Sequence, residues 1–164
     1  MRVLVLADTH LGAGQEARLI DELHTQLATA DAIVHAGDVT DAALLAALRE
    51  FAPVHAVLGN NDRTLRLPER LVVDIDGCRV ALVHDSGQAA GRTARLRRWF
   101  PEADVVVFGH SHLPWHETDV DDGGHEQHHL NPGSPTQRRQ APRRTVAWIE
   151  IAGGAVAAIR HELL

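Results

Sequence analysis

The sequence has little of what would place it outside the cell, in a membrane or on a nucleic acid. It holds one cysteine, Cys78, so no internal disulfide is possible and a reducing compartment is expected. No apolar run is long, and the first, Val3 to Ala7, stops at Asp8. That is too short for a signal-peptide core or a membrane span, so a soluble, cytoplasmic protein is expected. Basic charge is not in excess. The formal net charge of −6 argues against a nucleic-acid groove or an anionic-membrane surface. No linker, internal repeat or low-complexity segment divides the 164 residues. One domain over residues 1–164 is expected, long enough to bury a core.

What the chain does have is histidine, 12 in all. It also has five places where an apolar run ends abruptly in residues that bind metals. Val3–Ala7 runs into Asp8-Thr9-His10, and Ala32–Ala36 into Gly37-Asp38. Val54–Leu58 runs into Gly59-Asn60-Asn61-Asp62, Val80–Val83 into His84-Asp85, and Val105–Phe108 into Gly109-His110-Ser111-His112. Five such junctions suggest strands of one sheet that deliver Asp, His and Asn to a common edge.

The first half alternates β-branched runs with helical patterns. Leu19, Ile20, Leu23 and Leu27 predict a helix within residues 15–30; Ala43, Leu44, Ala47 and Leu48 predict another over 41–50, capped by Thr40 or Asp41. That alternation predicts a parallel sheet covered by helices. The second half reads as antiparallel. Residues 71–75 and 78–83 form a hairpin about Asp76-Gly77, residues 113–118 and 126–130 flank a polar tip, and residues 145–151 and 155–161 close about Gly153-Gly154. A further arginine-rich helix spans 89–100. The expected fold class is α/β: a four-layer α/β-β/α sandwich of two mixed sheets with flanking helices.

Each junction alone has an ordinary explanation as a strand end or a turn. Together, in the order D-x-H, G-D, G-N-x-D, H, G-H-x-H, they resemble the calcineurin-like metallophosphoesterase superfamily, most closely its small YfcE-type phosphodiesterases. Asn131-Pro132-Gly133-Ser134 is similar to that branch's N-P-G-S motif. The resemblance implies that Asp8, His10 and His112 ligate one metal, that Asn60, His84 and His110 ligate a second, and that Asp38 bridges the two. Asp38, Asn61 and His110 are the candidate catalytic residues. The donor set suits two divalent first-row ions, Mn²⁺ first, with Fe, Zn, Co or Ni as alternatives. The absence of thiolate ligands disfavours a closed structural zinc site. The implied reaction is hydrolysis of small phosphodiesters by attack of a metal-bridging hydroxide.

Three departures and two arginine- or histidine-rich stretches bear on this reading. Asn61 stands where much of the superfamily has a histidine, and asparagine cannot donate a proton at neutral pH. Asp62, which in relatives orients that histidine, is left with a structural role. Asp85 is either a partner for His84 or a charge that repels phosphate. His116, His125, His128 and His129 read as a solvated hairpin, with a role at the metals as the sharper alternative. His24, His35, His55 and His161 read as core or strand-edge residues. Arg138, Arg139, Arg143 and Arg144 read as a solvated loop, with phosphate contact as the alternative. Other readings are a protein phosphatase or dinucleotide polyphosphate hydrolase, and a non-catalytic protein-binding scaffold like the retromer subunit of this fold. The partner expected is a small phosphoester, without membrane contact; homo-oligomer formation is left open.

Overall fold

The computed structural model describes residues 1–164. In chain order its elements are β1 (Arg2–Leu6), α1 (Glu16–Glu22), α2 (His24–Leu27), β2 (Ala32–His35), α3 (Ala42–Arg49), β3 (Val54–Ala56), β4 (Arg70–Ile75) and β5 (Cys78–Val83). Then come α4 (Arg92–Trp99), β6 (Val105–Val107), β7 (Trp115–Val120), β8 (Glu126–Asn131), β9 (Thr145–Ala152) and β10 (Ala155–Leu163). The helix expected over 15–30 is interrupted at Leu23, although its apolar spacing runs through the break. Asp41, not Thr40, caps α3 by accepting from the Ala43 N–H.

The strands form two five-stranded sheets, β10-β9-β1-β2-β3 and β4-β5-β6-β8-β7. Both are mixed. β1, β2 and β3 run parallel, while β9 joins β1 antiparallel and β10 closes the edge. Two expectations are corrected. The second half is not wholly antiparallel, because α4 carries the chain from β5 across to a parallel β6, which also pairs parallel with β8. The five junctions also do not lie on one sheet. β1, β2 and β3 belong to the first and β5 and β6 to the second.

Three apolar clusters make the layers. Val3, Val5, Val34, Val80, Leu82, Val105, Val107 and Ile149 pack between the sheets. The alternate residues Leu4, Leu6 and Ile33 point outward and are covered by Leu19, Leu23, Leu44 and Leu48 of the first helices. Ala81, Val83 and Val106 are covered by Leu96 of α4 and by Phe100. Central strands are therefore buried on both faces, and their side-chain alternation serves two cores at once. No helix is long and apolar enough to cross a membrane.

Packing the sheets face to face brings the ends of β1, β2 and β3 against those of β5 and β6. His84, just past β5, donates from Nδ1 to the Ala36 carbonyl just past β2 at 2.7 Å. The His110 N–H donates to Asp8 Oδ1 at 3.1 Å. The site thus depends on the inter-sheet core. Leu82→Ala, at a fully buried position in that core, is expected to cost about 2–5 kcal/mol in urea denaturation. A cost well under about 1 kcal/mol would show that the sheets reseat without it.

Candidate metal centre

The apolar runs stop where the backbone turns sharply. Asp8, His10, Asp38, His110 and His112 all have positive φ, from 44° to 69°. That left-handed conformation is strained for residues with a Cβ, and it concentrates at functional sites. The preceding glycines are required by close approach. A Cβ on Gly37 would lie 2.8 Å from His84 Nδ1, and one on Gly59 would lie 2.1 Å from Asp38 Oδ1.

The turned ends bring all seven expected ligands together. His10 Nε2 and His112 Nε2 are 3.2 Å apart, and Asp8 Oδ1 lies 3.5 Å from His112 Nε2. Asn60 Oδ1 lies 3.1 Å from His84 Nε2 and 3.0 Å from His110 Nδ1. Asp38 Oδ2 stands between the two groups, 3.3 Å from His10 Nε2 and 3.4 Å from His84 Nε2. Asp8 Oδ1 also faces both, but at 3.9 Å from each of those nitrogens. Two three-residue groupings have donor atoms close enough to share an ion, Asp8-His10-His112 and Asp8-Asp38-His84. Both contain Asp8, whereas the expected bridge is Asp38.

The rings are held in usable tautomers. A carbonyl only accepts, so His84 Nδ1 carries the proton it gives to Ala36, and His112 Nδ1 carries the one it gives to Gln137 at 2.6 Å. In both rings Nε2 faces the centre; for His84 burial pulls the pKa down, but the hydrogen bonds to Asp38 and to the Ala36 carbonyl outweigh it and raise the pKa. Burial pushes the His112 pKa down to about 4 and lowers that of His10, so these rings are neutral at physiological pH.

The carboxylates diverge. Burial pushes Asp8 up to about 7, and the Asp38 charge adds to the rise. Asp8 Oδ2 is buried with no hydrogen-bond partner. For Asp38 burial also pulls upward, but His84 and the Asn61 N–H groups outweigh it and hold the carboxyl well below the usual range. A buried, under-partnered carboxylate beside imidazole nitrogens is a donor set that fits a dication.

Several outer residues fix this geometry. Asp62 accepts from the backbone N–H groups of Asp38, Thr40 and Gly59 at 2.9, 2.6 and 2.7 Å, so it staples two ligand loops together. Ser134 Oγ donates to the Asp8 carbonyl and Asn131 Nδ2 to that of Gly109, which gives the N-P-G-S motif a structural task. Asn61 donates through its backbone N–H to Asp38 Oδ1 and through its side chain to Oδ2, at 2.8 and 2.7 Å. Its amide is therefore turned to the carboxylate, with one of its two N–H donors committed there. Asp85 accepts from the Gly87 N–H in a local turn and does not partner His84.

Of the four arginines after Ser134, Arg139 reaches the centre. It donates to the His110 carbonyl at 3.2 Å, and its charge acts on Asp8, His10 and His112. Arg138 and Arg143 bond carbonyls elsewhere, and Arg144 pairs with Glu22. The hairpin histidines bond one another and nearby polar side chains: His116 with His128, His125 with the Asp104 carboxylate, and His129 with the Gln127 amide. His35 is fully buried against Thr9, and its pKa is pushed down to about 3 by burial.

The calcineurin-like phosphoesterase superfamily domain matches residues 1–154. A probable metallophosphoesterase of Methanocaldococcus jannaschii, MJ0623, is 35% identical over 154 residues, covering 92% of this chain and 76% of that protein. The solved structure of the phosphoesterase Yfce from E. coli superposes with a TM-score of 0.64 at 25% identity, over 98% of each chain. Zn²⁺-complexed Vps29 from Entamoeba histolytica superposes with a TM-score of 0.71 at 23% identity, covering 100% of this chain and 98% of that one. The chain belongs to the calcineurin-like phosphoesterase superfamily.

Two outcomes follow from the geometry. Asp8, with its pKa at about 7, is protonated below that pH and must release its proton to bind a dication. Mn²⁺ affinity by calorimetry is therefore expected to rise from about pH 6 to about pH 8; a flat profile would contradict the assignment of Asp8. Asp62→Ala frees the backbone of Asp38 and Gly59, and is expected to weaken Mn²⁺ binding about 10–100-fold. Unchanged affinity would show that the loops hold without it.

Proposed function

We propose that this metallophosphoesterase is a phosphodiesterase acting on small phosphodiesters with two divalent ions, Mn²⁺ foremost. Asp8, His10 and His112 hold one ion, Asn60, His84 and His110 the other, and Asp38 spans both. The observation that carries the reading is Asp38 Oδ2, placed almost equally from His10 and His84, one nitrogen in each group. Asp8 Oδ1 faces the same nitrogens from farther away and lies closest to His112. It therefore completes the first set.

When bound, such ions polarise phosphoryl oxygens and lower the pKa of water. The chain's own side chains position and select. Asn61 keeps both Asp38 oxygens oriented. His84 and His112 keep Nε2 turned inward because their Nδ1 protons are given to carbonyls. Arg139 sits at the rim as the guanidinium that meets a phosphate oxygen. No acid stands at position 61, so the departing alkoxide receives no proton from that side chain. Good leaving groups are favoured accordingly.

With added Mn²⁺, bis(p-nitrophenyl) phosphate is expected to be hydrolysed faster than p-nitrophenyl phosphate, and Asp38→Ala is expected to lose at least about 100-fold of that rate. Activity that survives Asp38→Ala would belong to a contaminant. A wild-type chain that binds Mn²⁺ but hydrolyses neither ester would instead support a binding scaffold. Asn61→His is expected to raise the rate on an unactivated diester by about tenfold or more; no change would show that Asn61 is not where the acid is missing.

A further inference from the structure

Beside His10, and lined also by Thr9 and Thr136, lies a cavity of about 230 Å³ that adjoins the candidate centre. It is smaller than the roughly 300–1,000 Å³ of ordinary small-molecule sites. Its lining holds no Phe, Tyr or Trp, and only two of the ten lining residues are apolar. Its one ring, His10, is already stacked on His112, with the centroids 5.0 Å apart.

The polar groups differ in how committed they are. Arg144 is paired with Glu22 and donates to the Pro135 carbonyl, so those two charges answer each other. Gln15 uses its side-chain oxygen to accept from the Gly12 N–H, which leaves its amide protons free. Arg18, exposed on α1, lines the cavity without a hydrogen-bond or ion-pair partner in the chain. Among the cavity's two arginines and its glutamate, the Arg18 guanidinium is the one charge left uncompensated.

We infer that this cavity receives a compact anionic group, a carboxylate or a second phosphate, carried by one alcohol of the phosphoester. Arg18 recognises it and Gln15 supplies a further donor. This rests on the phosphoesterase reading and adds a substrate class to it: small phosphoesters with an anionic arm. A guanidinium matches either anion through paired N–H donors.

The test is calorimetric, on the full chain loaded with Mn²⁺. The probes are inorganic phosphate, ethyl phosphate, phosphoglycolate, ethylene glycol bisphosphate and phosphoethanolamine. These present no arm, a neutral arm, a carboxylate, a phosphate and a cation. Phosphoglycolate or the bisphosphate is expected to bind about fivefold tighter than ethyl phosphate, and whichever does identifies the anion. Phosphoethanolamine is expected to bind more weakly than ethyl phosphate. Arg18→Ala should bring the anionic and neutral arms to equal affinity, and Arg18→Lys should restore part of the difference. Chelation of the ions by the arm itself would leave the preference intact in Arg18→Ala, and that result would overturn the inference. Equal affinities in the wild type would overturn it too, while phosphate binding would still support the centre. If no probe binds, inorganic phosphate included, the phosphoesterase reading falls and the cavity's role with it.

Discussion

Two carboxylates, Asp8 and Asp38, share one small, mostly buried space, and both face the same ring nitrogens of His10 and His84. Like charges that close cannot both stay ionised in a poorly solvated site unless something positive is added. The chain resolves part of the conflict itself. Asn61 and His84 hold Asp38 ionised, while Asp8 is left with its pKa near 7 and one oxygen unpartnered. The remainder is the electrostatic demand that a dication meets.

The surrounding fold is arranged to keep that conflict from relaxing. Left-handed backbone at five ligand positions costs energy at each one. It persists because the loops are tied from outside by Asp62, Ser134 and Asn131. Gly37 and Gly59 admit the contacts that a Cβ would block. Sheet-on-sheet packing then presses one set of strand ends against the other. The second sheet therefore contributes ligands that the first could not supply.

Much of this was legible in the sequence. Short β-branched runs ending in Asp, His or Asn mark strand ends whatever sheet they join. Gly-Asp, Gly-Asn and Gly-His mark turns too tight for a side chain. Which sheet each strand enters was not legible, because β5 and β6 would show the same apolar pattern whether paired parallel or antiparallel. The break at Leu23 was hidden for a related reason: the apolar spacing satisfies one helix or two. Arg139 could not be told from Arg138 or Arg143, since loop backbone decides where each guanidinium goes. Likewise nothing in the sequence shows that Asn61 turns its amide onto Asp38, a choice made by the Gly59–Asp62 turn.

Asn61 and Arg139 give the centre its own character within the superfamily. A neutral amide braces the Asp38 carboxylate, and the Arg139 cation stands beside His110. That combination favours binding and orienting phosphate over protonating a leaving group. The proposed function depends on Asp38 spanning two ions. The direct measurement is the number of Mn²⁺ ions bound per chain by equilibrium dialysis at about pH 8, where Asp8 is ionised, in the wild type and in Asp38→Ala. Two per chain, with both weakened by the substitution, is the predicted result. One per chain, or two with unchanged affinity in Asp38→Ala, would contradict the account.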